Sequence, residues 1–183
     1  MSHGPSADLA ARCAAIELLA VDVDGVLTDG RIVVNDQGVE SKHFHVRDGL
    51  GYALWHRAGR RSAILSGRSA EVVERRAAEL KVTYLAQGLA EKGPAFKQML
   101  AHYGLGPHQV CFVGDDLVDL PLLLCCGLAA APADAVPEVR EAAHLVTSTR
   151  GGQGAVREVV ELILKAQGAW HELCQAYREP AMS

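Results

Sequence analysis

Aromatic residues are scarce: Phe, Trp and Tyr make up 5% of the 183 residues, although 49% are hydrophobic. A sandwich built on stacked rings is disfavoured, and the dominant Ala, Val and Leu suit short parallel strands interleaved with helices. Positive charge is not in excess either. The formal net charge is −4, which leaves no electrostatic footprint for nucleic acid or an anionic membrane. No apolar run reaches the length of a membrane span, and residues 1–16 lack the basic start and long apolar stretch of a leader. Cys13, Cys111, Cys125, Cys126 and Cys174 show no paired metal spacing and sit mostly in apolar surroundings. They read as reduced thiols of a cytoplasmic protein, with burial the simpler reading of the adjacent Cys125 and Cys126 than a redox pair.

What is present is alternation between short apolar runs and amphipathic stretches. Leu18 to Val23 reads as a buried first strand, Ser62 to Ser66 as a second, Val82 to Leu85 as a third, Val110 to Val113 as a fourth and Gly127 to Ala131 as a weak fifth. Helices are expected over Asp48 to Ala58, from a cap at Ser69 through Leu80, over Pro94 to Tyr103 closed by Gly104, near Val136 to Ala142, and over Ala155 to Gln167. Residues 30–46 read as two strands around Asn35-Asp36-Gln37-Gly38, a β-hairpin flap. The expectation is one α/β domain over residues 1–183, with a Rossmann-like parallel sheet and helices on both faces. Its core spans about residues 17–167, and 168–183 form a tail without a partner. Such sheets present ligands at the carboxyl ends of their strands.

Those ends hold the reactive groups. Asp22-Val23-Asp24-Gly25 follows the first strand, Ser66-Gly67-Arg68 the second and Gly114-Asp115-Asp116-Leu117-Val118-Asp119 the fourth, while Lys92 precedes the helix before the fourth. Carboxylates converging in one crevice either raise one another's pKa or recruit a cation. Oxygen-only donors without a Cys or His cluster favour Mg²⁺, with Asp22 and Asp115 as ligands. Asp22 can then attack phosphorus as a carboxylate nucleophile, with Lys92 offsetting charge on the transferring group. Asp24, two residues on, suits a general acid and base. Ser66 and the Gly67 backbone can donate to phosphate oxygens.

Each motif alone is weak, since Asp-x-Asp-Gly is common in turns; order and spacing after strands carry the signal. His43 and His45 alternate along the flap as polar residues of an exposed hairpin ordinarily do. Glu71, Glu74, Arg75, Arg76 and Glu79 read as a solvated helix face.

With Asp22-x-Asp24, Ser66, Lys92 and Asp115-Asp116-x-x-Asp119 as its four motifs, the sequence resembles the haloacid dehalogenase superfamily of phosphohydrolases from about Leu18 to Gln167. Val23 to Gly30, Phe44 to Gly51, Leu65 to Leu80, Val113 to Pro121 and Gly151 to Val159 are similar to its branch acting on the 8-phosphate of a 3-deoxy-octulosonate. The resemblance implies Asp22 as nucleophile and Asp24 as acid/base. It also implies Mg²⁺ on Asp22, the Asp24 carbonyl and Asp115, with Asp116 and Asp119 supporting.

Spacing leaves no room for a separate cap domain between Asp24 and Ser66 or between Lys92 and Asp115, so an open site needs another cover. The resembling branch is homotetrameric, which implies joined flap hairpins and a reaching segment beginning at Arg150-Gly151-Gly152. Arg47, Asp48, Gly49 and Arg68 are the candidates for holding a small anionic sugar phosphate. A nonulosonate 9-phosphate is an equally anionic alternative. A phosphorelay receiver is disfavoured by motif order, and a silent oligomerisation or regulatory module by the intact Asp22, Asp24, Lys92 and Asp115.

Overall fold

The computed structural model describes residues 7–178. Its main sheet has six parallel strands in the order β5-β4-β1-β6-β7-β8, formed by β1 (Leu18–Val21), β4 (Arg61–Leu65), β5 (Tyr84–Ala86), β6 (Val110–Val113), β7 (Leu128–Ala131) and β8 (Leu145–Val146). β2 (Val33–Val34) and β3 (Glu40–Ser41) pair antiparallel as the hairpin. Both faces of β1 are buried, and its residues alternate between two cores. Leu19 and Val21 join one cluster, Leu18 and Ala20 the other, as the period of two requires of a doubly covered strand.

Against the first cluster pack α1 (Ala7–Ala15), α2 (Val46–Arg57), α3 (Glu71–Glu79) and α7 (Ala155–Ala166). Against the second pack α4 (Lys92–Tyr103), α5 (Leu120–Leu123) and α6 (Pro137–Ala142). α7 shows why the sequence folds so: Val156, Val159, Val160, Ile163 and Leu164 fall at i, i+3, i+4, i+7 and i+8 and are all buried. Each contributes about 1.5–3 kcal/mol of apolar burial.

Several expectations shift. Ser69 does not cap α3, whose N-cap is Ala70 without a side-chain bond; Gln87 Oε1 instead accepts the Ala70 amide at 3.1 Å. α2 begins at Val46, where the His45 side chain accepts the Arg47 amide, so His45 is a helix cap. The tail segment carries α8 (Trp170–Gln175). Trp170 and Leu173 pack on the first core, and Arg57 donates to the Tyr177 hydroxyl at 2.8 Å. Residues 179–183 of the expected tail lie outside the described residues. Among the described residues no helix is long and apolar enough to cross a membrane.

The chain steps outward from β1 to β4 and β5, then returns to place β6 on the other side of β1. The reversal opens a crevice beyond the carboxyl ends of β1 and β6, the place where such sheets bind ligands.

Candidate active site

Asp22 follows β1 and is tied to the neighbouring strand by its amide, which donates to the Val113 carbonyl at 3.0 Å. The chain then turns sharply, with the amides of Leu27 and Thr28 both donating to the Val23 carbonyl. Gly25 sits in that turn at φ +83°, and a Cβ there would fall 1.9 Å from Asp115 Oδ2. Only glycine allows both the left-handed backbone and this approach between the two acidic loops.

A pocket of about 270 Å³ is lined by Asp22, Asp24, Gly30, Ser66, Gly67, Arg68, Lys92, Asp115, Asp116 and Val118. Most of the chemistry-bearing residues thus meet at one place. Lys92, the first residue of α4, is 4% exposed. Its Nζ lies 3.0 Å from Asp22 Oδ2 and 2.6 Å from Asp119 Oδ1. Burial works against its charge, but Asp22 and then Asp119 more than offset this and hold the ammonium above its ordinary pKa.

Carboxylate oxygens of Asp22, Asp115 and Asp119 lie within 4.8 Å of one another. Asp119 is fully buried and committed: Oδ1 accepts Lys92, and Oδ2 accepts the amides of Asp115 at 2.9 Å and Asp116 at 3.3 Å. It shapes the acidic loop. Asp116 accepts the Leu117 amide at 2.7 Å and starts the turn that follows. Asp22 Oδ1 and Asp115 Oδ1 remain, buried and without a hydrogen-bond partner among the described residues.

Burial first, then Asp119, pushes Asp22 up to about 6 against the pull of Lys92. Asp115 is pushed up to about 8 by burial, then by Asp22, Asp119 and Asp116. Two orphaned hard oxygens in a cluster with one ammonium fit a hard divalent cation such as Mg²⁺, which relieves the repulsion.

Ser66 follows β4, is 2% exposed, and is held by its amide on the Ala86 carbonyl and by its own carbonyl on the Leu89 amide. The sequence reading missed Lys42 and Glu40 of the hairpin. Lys42 Nζ pairs with Asp24 Oδ1, and Arg68 donates to Glu40 Oε2 at 2.9 Å. Glu40 in β3 and Lys42 just past it are spaced i, i+2, but nothing in that spacing points to Asp24. Asp134 and Glu158 were missed too. Asp134 accepts the Gly151 amide at 2.9 Å, and Glu158 gathers the amides and hydroxyls of Ser148 and Thr149. Together they hold the loop that packs on Gly25.

Arg47, Asp48 and Gly49 do not join the pocket within this chain, because α2 turns them toward α7 and α3. Arg47 lines a groove of about 1100 Å³ with α7 residues. Asp48 is 2% exposed and accepts the Arg157 amide at 2.8 Å. Gly49 faces Arg76, whose Nη2 would lie 3.0 Å from an added Cβ. That groove is the larger concavity, but the convergent carboxylates and Lys92 lie in the smaller one.

A paired Asp-x-Asp at the end of β1, a buried lysine on the first carboxylate and an acidic loop after β6 define a haloacid dehalogenase site. The chain belongs to the haloacid dehalogenase-like hydrolases, whose family model matches residues 82–159, and it is a phosphatase. It is 46% identical over 166 residues to the 3-deoxy-D-manno-octulosonate 8-phosphate phosphatase KdsC of Yersinia pestis, covering 90% of this chain and 89% of the relative. The enzyme of that name from Moraxella catarrhalis, solved in complex with magnesium, phosphate and KDO, superposes with a TM-score of 0.91. It is 36% identical, over 93% of this chain and 98% of that one. The cobalt-bound form from Haemophilus influenzae superposes with a TM-score of 0.87 at 39% identity, over 92% and 99% of the two chains.

Proposed function

We propose that this phosphatase releases phosphate from 3-deoxy-D-manno-octulosonate 8-phosphate through an aspartyl phosphate on Asp22. The observation that carries the reading is the division of Asp22 itself: Oδ2 is fixed by Lys92 at 3.0 Å, while Oδ1 is buried and has no hydrogen-bond partner among the described residues, and the carboxylate belongs to the acidic cluster. The sugar comes from likeness to relatives of that substrate name at 46% and 36% identity.

Mg²⁺ would be held by Asp22, the Asp24 carbonyl and Asp115, and supplies positive charge against the phosphoryl oxygens. In the first step an Asp22 oxygen forms a bond to phosphorus while the phosphorus–oxygen bond to the sugar breaks. Asp24 gives its proton to the departing oxygen. In the second step Asp24, now a carboxylate, takes a proton from water as that water's oxygen bonds to phosphorus. The bond to Asp22 breaks and inorganic phosphate leaves. Lys92 stays charged throughout and offsets the charge of the transferring group. Ser66 and the Gly67 amide donate to phosphate oxygens, and Arg68 meets the anionic sugar.

The hairpin is read as the contact of a homotetramer that covers the open site. Ile32, Val34 and Val39 are 60%, 53% and 58% exposed there, an apolar face left open by the described residues of one chain. The protein is read as a single-domain cytoplasmic enzyme, consistent with free cysteines at Cys13, Cys111, Cys125, Cys126 and Cys174.

The test is Asp22→Asn with Mg²⁺ and the octulosonate 8-phosphate. Turnover should be abolished and no phosphoryl group trapped on the protein by rapid acid quench. Near-native activity would remove Asp22 from the role.

A further inference from the structure

The hairpin is an exposed element, with Val33 43% and Ile32 60% exposed. Its turn is closed locally: Asn35 Oδ1 accepts the amides of Gln37 at 3.0 Å and Val39 at 2.9 Å. Lys42, just past β3, departs from this pattern with a side chain only 1% exposed. A buried ammonium is costly unless closely paired, and a hairpin stabilised by its own turn has no need of one.

The partner is Asp24, whose Oδ1 receives Lys42 Nζ. Glu40 Oε1 stands 3.0 Å from the same Nζ, within ion-pair reach but not aligned as a hydrogen bond. On the other oxygen, Arg68 Nε stands 3.6 Å from Asp24 Oδ2, beyond hydrogen-bond length. Arg68 spends its hydrogen bond on Glu40 Oε2 at 2.9 Å. Oδ1 is thus occupied and Oδ2 is left without a close donor.

We infer that Lys42 is a positioning residue for Asp24: the hairpin lysine grips Oδ1, fixes the plane of the carboxyl group, and leaves Oδ2 to carry the proton to the leaving oxygen. Glu40 holds the lysine in place, so the hairpin's seating on the core and the orientation of the acid/base are one arrangement. The inference rests on the reading of Asp24 as acid and base.

Leaving-group chemistry tests it. The octulosonate 8-phosphate releases an alkoxide that needs a proton, whereas 4-nitrophenyl phosphate releases a phenolate that leaves without one. Lys42→Met should lower kcat/KM, which reports the steps up to departure of the leaving group and not the later base-assisted step, by about 10- to 100-fold on the sugar phosphate, part of the 10²–10⁴-fold that acid–base catalysis supplies, and by less than about threefold on the aryl ester. KM for the sugar phosphate should change little, and Lys42→Arg should recover most of the loss. Equal losses on both esters, or none, overturn the inference.

If Lys42→Met does not fold, Glu40→Gln reads the same ratio, with a smaller loss confined to the sugar phosphate expected and an equal loss or none overturning. Asp24→Asn separates the two levels. If it lowers kcat/KM on both esters equally, the acid role of Asp24 falls and the Lys42 inference with it. If it discriminates and Lys42→Met does not, only the inference about Lys42 falls.

Discussion

Gly151 lies against the carbonyl of Gly25 so closely that a Cβ on Gly151 would stand 1.8 Å from that oxygen. The loop before α7 is therefore part of the floor beneath the Asp22–Asp24 turn. The Gly152 amide adds a bond to the Val26 carbonyl at 3.0 Å, and Asp134 anchors Gly151 from the other side.

Gly151→Ala should push the Asp24-Gly25 turn out of place. A displacement near 1 Å can cost about 10²-fold in rate, and a backbone clash of this kind costs about 2–4 kcal/mol of stability. Steady-state kinetics together with thermal unfolding check both effects; wild-type values for both would mean the loop is not a floor for the site.

Asp119→Asn leaves Lys92 buried with one charged partner instead of two. Breaking a buried pair from one side costs about 3–5 kcal/mol, so urea unfolding should show a fall of that order. Turnover should fall as well, because the single acceptor oxygen of Asn cannot serve both Lys92 and the Asp115 amide.

Chelation with EDTA should abolish hydrolysis, and Mg²⁺ should restore it. With the cation held at Asp22 and Asp115 as proposed, excess Mg²⁺ should also stabilise the folded protein, by about 2.7 kcal/mol of linkage at 100 times its Kd, and so raise the melting temperature. Asp115→Asn should lose that shift. Calorimetry with and without Mg²⁺ measures it independently of activity.

Asp48 gives a pH-dependent term. Burial, opposed by the Arg157 amide and nearby cations, pushes its folded pKa up to about 6, above the unfolded value of about 3.9. The folded state thus binds the proton more tightly, and the stability this confers is present below about pH 4 and lost as pH rises to about 6. Asp48→Asn keeps an acceptor for the Arg157 amide and removes the term. It should flatten unfolding free energy across that window and stabilise at pH 7 by at most about 2–3 kcal/mol. An unchanged pH slope would contradict the assignment.

The parts of this structure legible in the sequence are those where one local pattern decides the outcome. β6 (Val110–Val113) is a continuous apolar run, α7 carries a full 3.6-residue stripe, and Gly104 ends α4 in the left-handed conformation. The acidic and basic residues at strand ends could be gathered because a parallel sheet presents all those ends on one side. Partnerships made by distant chain were not legible. Ala70 takes the cap position expected of Ser69 while its own amide goes to Gln87, and the C-terminal segment is held by Trp170 on α7 and by Arg57 on Tyr177. β8 is a two-residue strand, too short to show a period. Arg47, Asp48 and Gly49 read as ligand contacts because an anionic sugar acid needs cationic and hydrogen-bonding partners, yet the first turn of α2 carries Asp48 inward to the Arg157 amide. Lys42 was not singled out at all, because nothing local announces that its side chain ends on Asp24.

The most direct measurement is phosphate release by the purified protein with Mg²⁺ across a panel of the octulosonate 8-phosphate, a nonulosonate 9-phosphate and common hexose phosphates. A kcat/KM for the octulosonate ester at least about 100-fold above the others, the scale at which a site with charged and hydrogen-bonding contacts discriminates, is the predicted result. Comparable rates on every ester, or preference for the nonulosonate, would contradict the assigned substrate, and no hydrolysis at all would contradict the catalytic account of Asp22 and Asp24.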